Sequence, residues 1–335
     1  MPVTVRTPVG AFMSTASVSA GMADGEAEDE GDGGRRTPTD PEAAFMALSN
    51  DCRLEILLAL WDAPGFSLSF SELRKTVGER DSGTFTYHLS ELVGHFVAET
   101  ATGYELGYPG HRVLDAIQSG VFHQTGTVGP VDLDGACPDC GAGLVFTYDD
   151  YVGRVRCRGC GERVLEWPFD PGGVADRTPR AVATAFDRRT RLLWACALDG
   201  VCPFCAGTVA RSLGDGTTDA GRCIGVLEDL DRYDEYFARD HPAVVGVDCR
   251  RCSFYSFVPV GVVLLTRPRV TGRLWDRGLD VRGTPLWNLG FVVDPAAVTV
   301  RRTDPTAVAV TATPDDGSAL TARVDADLDV TLVDD

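Results

Sequence analysis

The chain has 335 residues, 44% of them hydrophobic, and a formal net charge of −18 from 49 Asp and Glu against 31 Lys and Arg. That length supports two or three domains with buried cores, and no apolar run is long enough for a bilayer-spanning helix, which excludes that class. Lys75 is the only lysine, the remaining basic residues are arginine, and Asp outnumbers Glu. Such a surface suits molar salt, where dense charge keeps a protein dissolved and salt screens its self-repulsion.

Residues 1–38 read as a disordered acidic segment, since GEAEDEGDGGRR has no apolar periodicity. No stretch there has the length of a secretory h-region, so a cytoplasmic protein without membrane attachment is expected. Residues 39–120 read as one domain. Thr39-Asp40-Pro41-Glu42 opens a helix with a cap and an early proline. A second helix follows Ser49-Asn50-Asp51, carries Ile56, Leu57 and Leu60, and stops before Pro64-Gly65. Ser69-x-x-Glu72 is a capping box for a short helix ending at Gly78. Asp81 or Ser82 caps the next helix, in which Phe85, Leu89, Leu92, Val93 and Phe96 fall at helical spacing. Phe96–Thr100 and Tyr104–Leu106 then flank Ala101-Thr102-Gly103 as a hairpin. A last helix runs from Gly110 to Gly120.

Helix, turn, helix, hairpin is the winged form of the helix-turn-helix. The apolar stripe of the second of these helices determines its opposite face. Gly83, Thr84 and Tyr87 project outward there, with Ser82, Thr86 and His88 at the rim. These are small or flat hydrogen-bonding side chains at a helix N-terminus, where such motifs present residues to base edges, and free first-turn amides suit a phosphate oxygen. Lys75 and Arg80 before the helix, and Thr100 and Thr102 on the wing, complete the candidate DNA contacts.

AFMALSNDCRLEILLAL followed by SFSELRKTVGERDSGTFTYHLSELVGHF resembles the ArsR-type winged helix-turn-helix regulators, above all those of halophilic archaea. The resemblance covers residues 41 to 120 and implies a module that binds double-stranded DNA and forms a homodimer. Metal-sensing members of that family carry paired cysteines on the helix before the recognition helix, and SFSELRKTVG has none. His111 and Asp115 are four apart on the last helix, a spacing compatible with a metal but more common on a solvated face.

Cysteine dominates the following residues. Cys137-x-x-Cys140 and Cys157-x-x-Cys160 lie 16 residues apart, with strands expected over Leu144–Tyr148 and Val152–Arg156. Four thiolates from two tight knuckles on a short sheet form a closed tetrahedral zinc site, so residues 130–170 resemble a zinc ribbon. A reducing cytosol disfavours disulfides. Cys202-x-x-Cys205 and Cys249-x-x-Cys252 repeat the pattern across 43 residues, which hold a Gly/Asp-rich loop and an expected helix Leu227–Arg239. This second, insertion-containing site belongs to residues 178–335, for a total of two zinc ions. Cys52, Cys196 and Cys223 read as small buried side chains, and His241 as a helix-end residue.

Pro179 to Leu198 reads as a helix, and its Arg188-Arg189-Thr190-Arg191 cluster is placed to meet phosphate or neighbouring acids. From Val260 onward only strands and turns are expected, with Trp275, Arg277, Arg282 and Trp287 cementing a small sheet–helix interface or, as the rarer alternative, lining a pocket. Four-thiolate sites leave no open position, and no hydrolase or phosphate-loop motif is present, so no enzyme is expected. The fold expected is α+β: an N-terminal winged helix-turn-helix, zinc-ribbon elements and a β-rich C-terminal domain. The function expected is transcriptional regulation, with the C-terminal half sensing a small ligand, dimerising or docking a protein. The alternatives are an interaction factor of the basal transcription machinery and a zinc-ribbon RNA-processing factor.

Overall fold

The computed structural model describes residues 41–215, 241–303, 305–314 and 316–333. The acidic segment 1–38 and the expected helix Leu227–Arg239 lie outside them. The chain is mixed α and β with several antiparallel sheets.

The first unit begins with α1 (Pro41–Leu48) and α2 (Asp51–Asp62). Asn50 caps α2 by accepting from the Arg53 amide at 3.4 Å. After the short strand β1 (Ser67–Leu68), α3 (Phe70–Val77) starts on a complete capping box between Ser69 and Glu72. It ends at Gly78, whose φ of 80° is the left-handed cap that glycine adopts without a Cβ penalty. The next helix, α4, is Ser82–Ser90 and is capped by Asp81. It is shorter than its apolar stripe implied. Leu92 and Phe96 are buried but belong to the turn beyond it, where Gly94 reverses the chain with φ 84°. Strands β2 (Val97–Thr100) and β3 (Gly103–Leu106) pair with Val97 opposite Leu106, and β1 joins the outer side of β3. A side chain on Gly103 would collide with the Leu68 carbonyl, so the glycine permits that third strand. Helix α5 spans Tyr108–Gln118, starting earlier than Gly110 because Pro109 suits its first turn. Ile56, Leu57, Leu60, Leu73, Phe85 and Leu114 are all fully buried in one core. Each contributes about 1.5–3 kcal/mol of burial.

The second unit holds a four-stranded antiparallel meander: β4 (Val128–Ala136), β5 (Gly143–Asp149), β6 (Val152–Cys157) and β7 (Arg163–Pro168). After the single turn α6 (Gly172–Ala175) comes α7, Pro179–Leu198, with Thr178 accepting from the Ala181 amide as its cap. A three-stranded sheet follows, formed by β8 (Val209–Asp215), β9 (Ala243–Cys249) and β10 (Tyr255–Pro259). Helix α7 touches both sheets. Phe186 packs 5.4 Å from Phe146 of β5 and so closely over β6 that a side chain at Gly153 would enter its ring. Trp194 meets Trp167 of β7 at 5.6 Å and donates its indole N–H to Ser256 of β10.

The tail from Val260 is not only strand and turn. It contains α8 (Gly261–Leu265), α9 (Pro268–Asp276) and α10 (Gly290–Val293) before the meander β11 (Val298–Thr303), β12 (Thr306–Ala312), β13 (Leu320–Val324) and β14 (Val330–Val333). Val262, Val263 and Leu264 have strand-forming side chains but are buried on successive positions of a helix turn, so packing overrides propensity. One apolar core runs from Cys137 to Leu328 and includes both the 130–170 and the 178–335 stretches. The Gly172 amide donates to the Ser119 carbonyl at 2.7 Å, tying α6 to the end of the first unit. Among the described residues no helix is long and apolar enough to cross a membrane.

Candidate metal centres and nucleic-acid interface

The two cysteine sets come together as their spacing implied. In Cys137, Cys140, Cys157 and Cys160 the four Sγ atoms lie within 4.8 Å of one another, and the same holds for Cys202, Cys205, Cys249 and Cys252. Cross-knuckle distances are 3.8 Å for Cys137–Cys160, 3.3 Å for Cys140–Cys157, 3.6 Å for Cys202–Cys252 and 3.5 Å for Cys205–Cys249. All are far beyond an S–S bond, so no disulfide joins these cysteines. The first cluster places one knuckle before β5 and the other between β6 and β7. The second places its knuckles before β8 and between β9 and β10.

Backbone amides converge on the sulfurs. Gly159 and Cys160 donate to Cys157, and Arg251 and Cys252 donate to Cys249. The Cys160 amide, with that of Gly159, holds the Cys157 thiol down to about 6. Burial pushes Cys249 upward, but the Cys252 and Arg251 amides outweigh it and bring that thiol to about 6 as well. Against the lowering effect of the Glu162 amide, the surrounding thiols, Cys157 first, push Cys160 up to about 12. Burial and the neighbouring thiols push Cys252 up to about 12. Four thiols this close cannot all ionise by themselves, because each thiolate opposes the next. A bound cation removes that conflict, so the donor sets fit a metal ion. They differ in shielding, for Cys140 and Cys160 are exposed whereas Cys205 and Cys252 are half-buried. Cys196 and Cys52 stand outside both clusters, and burial raises the Cys52 thiol. His241 joins neither cluster, and Cys223 lies outside the described residues.

On α4 the apolar stripe and the outward face separate. Phe85 and Leu89 are buried, whereas Ser82, Gly83, Thr84, Thr86 and Tyr87 are exposed, Tyr87 by 57%. Lys75, Arg80 and Thr102 are also exposed. Thr100 is half-buried and its hydroxyl donates to the Gly103 carbonyl inside the hairpin turn. Thr86 donates its hydroxyl to the Ser82 carbonyl. His88 is half-buried beside Tyr87, with a buried Nδ1 lacking a hydrogen-bond partner among the described residues. The helix N-terminus is not an open anion site, however. The Asp81 carboxylate accepts from the Thr84 amide at 2.7 Å, and this bond, with a second from the Thr84 hydroxyl, lowers its pKa. Glu79 in turn accepts from the Asp81 amide. The Thr84 and Asp81 amides are thus taken by the chain's own acids, whose charge disfavours phosphate there.

His111 and Asp115 belong to neither metal-capable cluster among the described residues. The imidazole lies edge-on to Phe66 at 4.8 Å, and Asp115 bonds Arg112 at 3.2 Å. Trp275, Arg277, Arg282 and Trp287 are spread over different surroundings among the described residues. Trp275 is 65% exposed, Arg277 donates to the Ala319 carbonyl, and Trp287 is buried beside a small cavity near Gly135. Arg282 instead faces a cavity on α7 that the sequence did not reveal.

The fold and sites thus define a mixed α/β chain with two clusters able to hold metal ions. A family model described as "Domain of unknown function (DUF7351)" matches residues 134–330, more than half of the chain, and the chain belongs to that family. A second model, "Domain of unknown function (DUF7347)", matches residues 41–117. The two stretches correspond to the two apolar cores. No curated protein and no solved structure matches.

Proposed function

We propose that the chain is a sequence-specific DNA-binding regulator whose first unit is a winged helix-turn-helix. In this reading α3 and α4 form the helix-turn-helix, β2 and β3 the wing, and α4 enters the major groove. The observation that carries it is the clean division of α4, with Phe85 and Leu89 buried and Ser82, Gly83, Thr84 and Tyr87 left in solvent. With Asp81 occupying the first turn, phosphate contacts fall to Lys75, Arg80 and Thr102 around it. The acidic balance of the chain is compatible with this role in molar salt, where counterion release adds little to any DNA affinity. Specificity then rests on base-edge hydrogen bonds and shape.

The second unit carries two structural zinc ions, one in each cluster. Zn–S bonds of 2.3 Å in a tetrahedron place sulfurs about 3.8 Å apart, and the observed 3.3–3.8 Å separations fit that edge. Bound zinc would clamp knuckles that are distant in sequence, Cys205 to Cys249 above all. The first cluster and its meander correspond to a zinc ribbon, and the second to one with a long insertion.

The test is protection of genomic DNA by the full chain in molar potassium chloride, repeated with Tyr87→Ala. The expected result is a defined footprint that the substitution weakens by about 5- to 150-fold, the range for one good base contact, with the fold unchanged. Equal protection of all sequences, or identical footprints from both proteins, overturns the assignment.

A further inference from the structure

The inner face of α7 is consumed by packing, but its outer face is not. Leu192, in the middle of this 20-residue helix, is 62% exposed. It stands on a ridge with Arg188, and a recess lies on either side. The recess toward α8 and α9 has a volume of about 560 Å³, within the range of small-molecule sites. Its walls are apolar: Leu192 and Ala195 from α7, and Val262, Leu265 and Val281 opposite. Three arginines, Arg188, Arg191 and Arg282, rim it, and no carboxylate lines it.

That charge pattern is unusual in a chain with 49 acids and 31 bases. Some arginines elsewhere find acids: Arg154 meets Glu166, Arg158 meets Asp132 and Arg180 meets Asp134. Around the recess Arg191 is fixed by Asp187 and by the carbonyls of Val281 and Thr284. Arg188 and Arg282 form no ion pair among the described residues. The two hydroxyls in the wall are already used, Thr266 donating to Val263 and Thr271 to Pro268. Recognition of a polar group is therefore left to guanidinium.

We propose that this recess is a binding site for a small carboxylate on an apolar body. A guanidinium fork matches a carboxylate in plane and spacing, while the apolar walls reward a hydrocarbon or ring and leave an inorganic anion poorly covered. A nucleic-acid backbone would need cations strung over a convex surface, whereas these rim a hollow. The recess on the other side shares Arg188 and Leu192 and reaches Ser119 and Gly172, where the two units are hydrogen-bonded. A carboxylate bound at Arg188 thus sits next to the junction with the first unit. The site stands independently of DNA binding.

The experiment is isothermal titration of the full chain, at constant high salt, with sodium octanoate, 1-octanol and inorganic phosphate. The expected result is saturable octanoate binding near one per chain, at least about tenfold tighter than either control, as loss of a charge-assisted hydrogen bond implies. Arg188→Gln with Arg282→Gln should weaken octanoate by about tenfold or more. Leu192→Trp, a change at an exposed position that narrows the recess, should also weaken it and serves if the double variant folds poorly. No saturable heat with octanoate, equal affinity for octanol or phosphate, or full affinity in the Leu192→Trp protein overturns the proposal.

Discussion

Asp187 gives the sharpest stability prediction. It is almost fully buried on α7, accepts from Arg191 Nε at 3.0 Å and from the Leu286 amide at 2.7 Å, and so fastens the 281–286 loop to the helix. Asp187→Asn keeps the shape and can still accept from Leu286. It removes the charge opposite Arg191 and presents an amide N–H₂ or a weaker acceptor in its place. Breaking a buried pair by removing one partner costs about 3–5 kcal/mol. The Arg191 side chain is 18% exposed and keeps its two carbonyl acceptors, so the lower end, about 3 kcal/mol, applies. For a unit of roughly 200 residues this is a fall of about 6–12 °C in Tm. Circular-dichroism melts at fixed salt of Asp187→Asn, Arg191→Met and the double variant measure it. The double variant should be less destabilised than the sum of the single ones, because the unpaired charge disappears. A Tm for Asp187→Asn within about 2 °C of the parent would refute the clamp.

Metal analysis of the full chain should give two zinc ions, with Cys137→Ser and Cys249→Ser each removing one; iron in place of zinc, or one ion in the parent, contradicts the assignment. A chelator should empty the first cluster before the second, since Cys140 and Cys160 are exposed, and simultaneous loss argues against unequal shielding. Asp81 has a depressed pKa in the folded chain, so its capping contribution is present above the unfolded value and is lost as pH falls through the folded one. Hydrogen exchange at the Thr84 amide should therefore quicken below the ordinary carboxylate range of about 4, after allowance for the intrinsic pH dependence, and Asp81→Asn should abolish that acid transition. A protection factor independent of pH down to about 2 speaks against it.

The parts legible in the sequence were those fixed by local chemistry. Ser69 and Glu72 specify their capping box within four residues, and Pro179 to Leu198 carries its own helical period. The cysteine pairs announced their clusters through spacing alone. What failed depends on distant neighbours. Gly261-Val-Val-Leu-Leu has the composition of a strand, but the glycine lets α8 press against the Phe291 carbonyl and the apolar residues are buried from several sides. Strand β4 contains Gly129, Pro130 and Gly135, which weaken any local strand pattern, and it forms because β5 supplies the partner. In the candidate interface the exposed face of α4 was readable from period 3.6, yet the occupation of its first turn was not. Asp81 was visible as a cap, but that its carboxylate closes the anion site follows only from the bonds it makes. Arg188 and Arg282 are 94 positions apart in the numbering (282 − 188), so no local pattern could join them.

The shared core of the second unit has a consequence for dissecting it. Each four-sulfur cluster is complete as a spacing pattern, inviting excision as a free-standing bead. Severing the chain between residues 170 and 178 would part Phe146 and Phe169 from Phe186, and Trp167 from Trp194, leaving both halves with their largest aromatic faces in water. The two clusters are rivets in a single plate, and neither piece is a smaller version of the whole.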